Sequence, residues 1–203
     1  MGHDDVLDRS MDRKTFLREA PAVLLRAVAQ GAREARPPAP EPPVPLLRPP
    51  GAAPEEQFLE LCCGIGACAA ACPADAIQLR PREDDPSRLA PIVVPDEAPC
   101  VVCEELACMA ACPSGALTPT TREAIRIGRA RVSVGACLSW EGVDLDCNYC
   151  VDRCPLGVAA IAMEKTARGK GPRVKDGCIG CGVCEYYCPT DPAAIRVFER
   201  EPS

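Results

Sequence analysis

Large aromatic rings are scarce in this chain: three Phe, three Tyr and one Trp among 203 residues. Twenty-three prolines cut the remainder into short segments. Together these exclude one large apolar core, so something other than oily packing has to hold the fold. No stretch approaches the roughly 18 apolar residues of a membrane-crossing helix, and no transmembrane segment is expected. Histidine is reduced to His3, in a polar start where an imidazole is ordinarily solvated rather than a ligand. Acid–base pairs, nucleotide loops and substrate pockets leave no signature, so an enzyme is not expected. The formal charge of -6 argues against nucleic acid as a partner.

Cysteine is the opposite case. Sixteen in a chain of this length is a density otherwise met in secreted disulfide scaffolds. Their grouping excludes that reading, because they fall in four sets of four, each ending Cys-Pro. The last set, Cys178, Cys181, Cys184 and Cys188 with Pro189 behind it, has the spacing of a bacterial [4Fe–4S] motif. A tight loop brings the first three thiolates to neighbouring irons of one cube, and Gly180 and Gly182 supply the unusual φ values it needs. The fourth cysteine opens a short helix and in such motifs ligates the other cluster of a pair. Zinc ribbons separate their Cys-x-x-Cys pairs by longer gaps. Metal–thiolate bonds are therefore the expected scaffold. Each oxidised cube with its thiolates adds about −2, which makes the loaded protein more acidic still.

The other three motifs each depart from that spacing. The first is Cys62-Cys63-Gly64-Ile65-Gly66-Ala67-Cys68 followed by Cys72-Pro73, with isoleucine where a cysteine is usual and an extra cysteine at 63. Either the loop shifts so that Cys62 and Cys63 both serve, or one iron is held weakly or lost. The second, Cys100, Cys103, Cys108 and Cys112, has a widened middle gap. The third begins at Cys137, ten residues before Cys147, Cys150 and Cys154. Trp140, Tyr149, Tyr186 and Tyr187 are expected to pack over clusters and exclude water. Four [4Fe–4S] clusters are expected, the first with Cys62 and Cys63 as its least secure ligands.

Four stretches follow the Cys-Pro pairs with alanine and a branched apolar residue: Ala76-Ile77, Ala116-Leu117, Ala160-Ile161 and Ala194-Ile195. Strands are predicted at Ile77–Leu79, Ile92–Val94, Arg131–Val134, Arg173–Val174 and Ile195–Phe198. Turns are predicted at Asp84-Asp85-Pro86-Ser87 and Arg168-Gly169-Lys170-Gly171-Pro172. The fold class is small α+β: two ferredoxin-like dicluster modules behind a helical or disordered N-terminal tail. That tail covers 1–36, a stiff proline-rich linker 37–54 and the cysteine-bearing body 55–203, with motif segments at about 55–82, 91–121, 130–164 and 170–199. Within the tail, an amphipathic helix carries Leu17, Leu24 and Val28 on one face. The alternative is an export signal: Arg13-Lys14-Thr15-Phe16-Leu17-Arg18 resembles a twin-arginine motif, although the apolar run Ala20 to Leu25 is short for one.

The motifs, their order and their spacings resemble the NapF/NapG/MauM group of polyferredoxins, associated with periplasmic nitrate reduction and methylamine oxidation. The likeness is carried by Arg48-Pro49-Pro50-Gly51-Ala52, Glu56-Gln57-Phe58-Leu59, the wide second motif and Cys137-Leu138-Ser139-Trp140. It covers roughly residues 46–198, and Ile65, Cys63 and Lys14 depart from it. The resemblance implies an electron-transfer protein passing electrons to or from a redox enzyme such as a nitrate-reductase-type system. The alternative it implies is a maturation factor for a molybdenum reductase. Related subunits nest their motifs, which would join the first triplet to Cys188 and the fourth triplet to Cys72, with Cys112 and Cys154 exchanged between the inner pair. The residues themselves leave sequential pairing open. Redox proteins are the expected partners, with a peripheral membrane complex as a further setting. A cytoplasmic location is expected, with the periplasm as the alternative.

Overall fold

The computed structural model describes residues 45–200. His3, the tail helix and the twin-arginine-like segment lie outside the described residues. Helix α1 (Glu55–Leu61) follows Pro54, and Glu55 and Glu56 in its first turn suit the positive end of the helix dipole. Its one fully buried side chain is Phe58, and it delivers the chain to Cys62, where the backbone turns extended.

Four single-turn helices follow: α2 (Ala67–Ala70), α3 (Ala107–Ala110), α4 (Tyr149–Asp152) and α5 (Val183–Tyr186). Each carries the third cysteine of its motif as its second residue: Cys68, Cys108, Cys150 and Cys184. All four stop at once because a Cys-Pro pair comes next, and the residue before proline is pushed out of the α region.

Strands pair two by two. β1 (Ile77–Pro81) and β2 (Leu89–Val93) form an antiparallel hairpin between the first and second motifs. β3 (Arg129–Val132) leaves the second motif and pairs later with β6 (Ile195–Phe198), aligning Val132 with Ile195. β4 (Ile161–Thr166) and β5 (Gly169–Val174) form the hairpin between the third and fourth motifs. Both halves of the body therefore repeat one plan: motif, hairpin, motif, then a closing pair between the entering and leaving chain. In the first half that closing pair is the bridge Ala52↔Leu117, flanked by Ala53 N–H to Ala116 O at 3.1 Å and Thr118 N–H to Gly51 O at 2.8 Å.

Four strands start at or just before their expected places, and the Asp84–Ser87 turn joins β1 to β2. Three details differ. β4 was hidden by its polar Glu164-Lys165-Thr166, because only its first residue, Ile161, is fully buried. Residues 169–172 belong to β5 instead of a turn, and the loop shrinks to Ala167-Arg168, since register pairs Thr166 with Gly169. Val134 leaves β3 for a 3₁₀ turn over Val134–Ala136.

The linker expected over 37–54 needs correction for its described part. Leu47 is wholly buried, Pro49 and Pro50 with it, and the Leu47 carbonyl accepts Val93 N–H at 2.8 Å. Extended proline-rich backbone keeps its carbonyls free, so it can lie along an edge of the body as well as act as a spacer. The Arg48 guanidinium sits over the Phe58 ring at 4.6 Å and pairs with Glu55 at 2.6 Å. The apolar core is small: Leu47, Phe58, Val93, Ile125, Ile179 and Val197 are its largest fully buried chains. Buried cysteines, among them Cys62, Cys68, Cys108, Cys178 and Cys181, are part of the same packed cluster.

Candidate metal centres

All sixteen cysteines are free thiols. Three cavities are each lined by four of them. One holds Cys100, Cys103 and Cys108 with Cys72. Another holds Cys137, Cys147 and Cys150 with Cys188. The third holds Cys178, Cys181 and Cys184 with Cys154. In each, a triplet from one motif is completed by the last cysteine of its sequence neighbour. The last cysteine of the second motif likewise comes near the first motif: after burial, the thiols of Cys62 and Cys112 are among the groups that push the Cys68 thiol up.

The motifs thus pair first with second and third with fourth. The nested arrangement that placed Cys188 with the first triplet and Cys72 with the fourth is not what the structure has. Hairpins β1–β2 and β4–β5 fold each motif back onto the next one, packing α2 on α3 and α4 on α5. A short hairpin leaves the chain no reach to a more distant motif.

The thiols sit in a dry, mutually repelling environment. Burial, reinforced by neighbouring thiols, pushes Cys108 and Cys150 up to about 12. Burial likewise takes Cys100 to about 12 and Cys181 to about 11, and raises Cys184 most strongly. Such groups stay protonated at neutral pH unless a metal displaces the proton. Cys112 and Cys188 go the other way: burial pushes them up, but hydrogen bonds to sulfur outweigh it.

Those hydrogen bonds follow a pattern. The N–H of Ala76 points to Cys72 Sγ at 3.4 Å, that of Leu117 to Cys112 Sγ at 3.4 Å, and that of Ala194 to Cys188 Sγ at 3.3 Å. Three of the four alanine–aliphatic pairs noted in the sequence thus end their loop with an N–H aimed at the shared sulfur, whereas Ala160 N–H donates to Gly157 O at 3.0 Å. Hydroxyls of Ser114 and Thr190 add contacts to Cys112 and Cys188 at 3.6 and 3.2 Å. Sequence reasoning passed over Ser114 and Thr190, although both stand directly behind a Cys-Pro pair.

These features suit [4Fe–4S] groups: sulfur donors in fours, N–H groups aimed at sulfur, and mostly apolar linings. Among the described residues no three His, Cys, Asp or Glu side chains converge as ligands of one ion would.

The first motif is incomplete. Cys62 is buried, Cys63 is exposed, and Ile65 is 68% exposed. The reading in which Cys62 and Cys63 serve together is not supported, because adjacent side chains leave an extended backbone in opposite directions.

The aromatic residues divide. Tyr149 lines the third-motif cavity while remaining half exposed. Trp140 instead covers the β4–β5 hairpin, its ring against Gly171 and its Nε1–H donating to Pro172 O at 3.2 Å. Tyr186 and Tyr187 are surface rings, edge to face at 5.1 Å, with the Arg153 guanidinium 4.6 Å from the Tyr187 ring. The expectation that all four cover clusters therefore holds only for Tyr149.

The two halves meet at their cysteine loops. Cys100 N–H donates to Cys181 O at 2.9 Å, and Ile127 N–H to Ile179 O at 3.0 Å. Burial apart, Cys181 is among the thiols that raise Cys100, and Cys150 is among those that raise Cys184. The thiol groups are thus neighbours in the order first, second, fourth, third.

No helix among the described residues is long and apolar enough to cross a membrane. The family model for the 4Fe-4S dicluster domain matches residues 61–139 and 145–192. The methylamine utilization ferredoxin-type protein MauM of Methylorubrum extorquens is 39% identical over 163 residues, 76% of this chain and 73% of that protein. MauM of Methylophilus methylotrophus is 35% identical over 95% of this chain and 87% of its own length. The ferredoxin-type protein NapG of Escherichia coli is 37% identical over 75% of this chain and 70% of its own. With the match to the dicluster domain, these likenesses make this chain a member of the MauM/NapG family of ferredoxin-type [4Fe–4S] electron-transfer proteins.

Proposed function

We propose that the chain carries single electrons between a donor and a redox enzyme through up to four [4Fe–4S] groups in two dicluster modules. The ligand sets are Cys62, Cys68 and Cys112; Cys72, Cys100, Cys103 and Cys108; Cys137, Cys147, Cys150 and Cys188; and Cys154, Cys178, Cys181 and Cys184. When bound, such groups supply reversible one-electron exchange. The residues of this chain hold the sulfur anions, aim N–H groups at them and keep water out. Hydrogen bonds to sulfur favour the more negative, reduced state and so raise the potential.

The observation that carries this reading is the seam at Cys100 and Cys181, which supports an unbroken series of sites from the first motif to the third. Electrons enter or leave at the two ends of that series, beside the exposed Ile65 and the half-exposed Tyr149. Redox proteins are the partners, and the cytoplasm is the compartment, where thiols stay reduced for assembly. An anaerobic redox titration tests the reading. It should take up and return up to about four electrons per chain. A colourless, zinc-loaded protein, or one whose clusters do not reoxidise, overturns it.

A second reading, a maturation factor for a molybdenum reductase, is favoured by the incomplete thiol set of the first motif. It requires binding to the metal-free reductase, which pull-down against apo and loaded enzyme separates from a carrier.

A further inference from the structure

The first and fourth cysteine loops have the same backbone. Gly64 and Gly66 lie at φ +68° and +79°, and Gly180 and Gly182 at φ +75° and +88°. Gly66 and Gly182 both cap the following helix in the left-handed conformation, two residues before Cys68 and Cys184. The second loop repeats the conformation without glycine, at Val102 with φ 52° and Leu106 with φ 46°. Register through these glycines equates Cys62 with Cys178, Cys63 with Ile179 and Ile65 with Cys181.

We infer that the first site offers three thiolates, from Cys62, Cys68 and Cys112, with Ile65 at the place of the fourth, so that one iron bound there takes no ligand from this chain and is exchangeable. The inference rests on the [4Fe–4S] reading of the site. A shift of the loop that would bring Cys63 inward is not present, since both glycines keep their conformation and Cys63 remains exposed. At the corresponding place in the fourth motif Cys181 is only 8% exposed, whereas Ile65 is 68% exposed and holds no donor atom. Solvent therefore reaches the iron that lacks a thiolate. The other three sites each have four cysteines around them.

Lability then has a definite chemistry. Ferricyanide takes one electron and becomes ferrocyanide, while the [4Fe–4S]²⁺ group releases one Fe²⁺ and leaves [3Fe–4S]⁺. Charge and iron balance. The other groups, each with four thiolates, resist the same mild treatment.

Full-length protein purified anaerobically, with Ile65→Cys and Cys63→Ser variants beside it, tests this by iron release and EPR under limited ferricyanide. Wild type should release about one iron per chain and show the oxidised-state signal of a three-iron cluster. Ile65→Cys should abolish both, and Cys63→Ser should leave both unchanged. Resistance of the wild type, or a signal that responds to Cys63→Ser, overturns the inference. Iron release needs no electron-transfer partner, so it reads this site even if the carrier reading fails. A preparation with no iron–sulfur absorbance would instead sink the reading on which the inference rests.

Discussion

Cys100 and Cys181 are 81 positions apart, and the N–H of the first donates to the carbonyl of the second at 2.9 Å. That bond joins the loop of the second motif to that of the fourth, where the two halves meet. The same seam is lined by Gly180, whose absent Cβ leaves room for the backbone of Gly128.

Gly180→Ala should therefore damage the seam. Its φ of +75° strains any side chain, and a methyl group would press into Gly128. The cost is about 1–3 kcal/mol for the strained backbone. Thermal stability should fall, and rapid-mixing reduction should become biphasic as the two halves lose contact. Single-phase reduction at the wild-type rate would refute the role of the seam.

Swapped ligation makes a crossed prediction. Cys112→Ser should strip the first-motif site and Cys72→Ser the second, while Cys188→Ser strips the third and Cys154→Ser the fourth. Each of these changes should cost up to about four irons. Site-resolved EPR distinguishes the outcomes, since nested ligation would let Cys188→Ser strike the first-motif site.

Thr190 tunes the third site. Its Oγ1 accepts Ala194 N–H at 2.8 Å, which leaves the hydroxyl hydrogen for Cys188 Sγ at 3.2 Å. Thr190→Val removes a donor to sulfur and should lower the potential of that site by on the order of tens of mV. Spectroelectrochemical titration reads the shift. No change, or a rise, would count against the bond.

Arg82 and Asp84 give an acid-side prediction. The Arg82 guanidinium donates to both carboxylate oxygens of Asp84 and to Leu59 O at 2.8 Å, tying the β1–β2 turn to α1. That hydrogen bonding, with the guanidinium charge, holds the Asp84 carboxyl below its ordinary value. A lowered folded value means stability present above the unfolded pKa of about 3.9 and lost as pH falls through the folded one. Amide exchange in α1 should be faster in Asp84→Asn than in wild type from neutral pH to about 5, with the gap narrowing below about 4. A gap that ignores pH would show that the ion pair does not act there.

Much of the site was legible in the sequence because cubane ligation is local. Three cysteines in one loop with a Cys-Pro behind them define a triplet without any distant contact, and Ile65 announced its own defect. The closing alanine–aliphatic pairs also stood out, though their N–H to sulfur role did not. Trp140 was misplaced because a lone tryptophan near a motif does not say which surface it will cover. β4 escaped notice because its second half, Glu164-Lys165-Thr166, is polar and carries no buried apolar residue to mark a strand.

By itself the sequence determined the cofactor chemistry, the four motif positions and the reliance on sulfur over apolar bulk, since those depend on residue types at short spacing. Only the tertiary structure decided which fourth cysteine completes which triplet, that the halves meet at Cys100 and Cys181, and that the end of the proline-rich stretch packs into the body. Those outcomes depend on where hairpins return the chain. Spacing along a sequence cannot express that, because contact between distant loops is settled by strand pairing and packing in three dimensions.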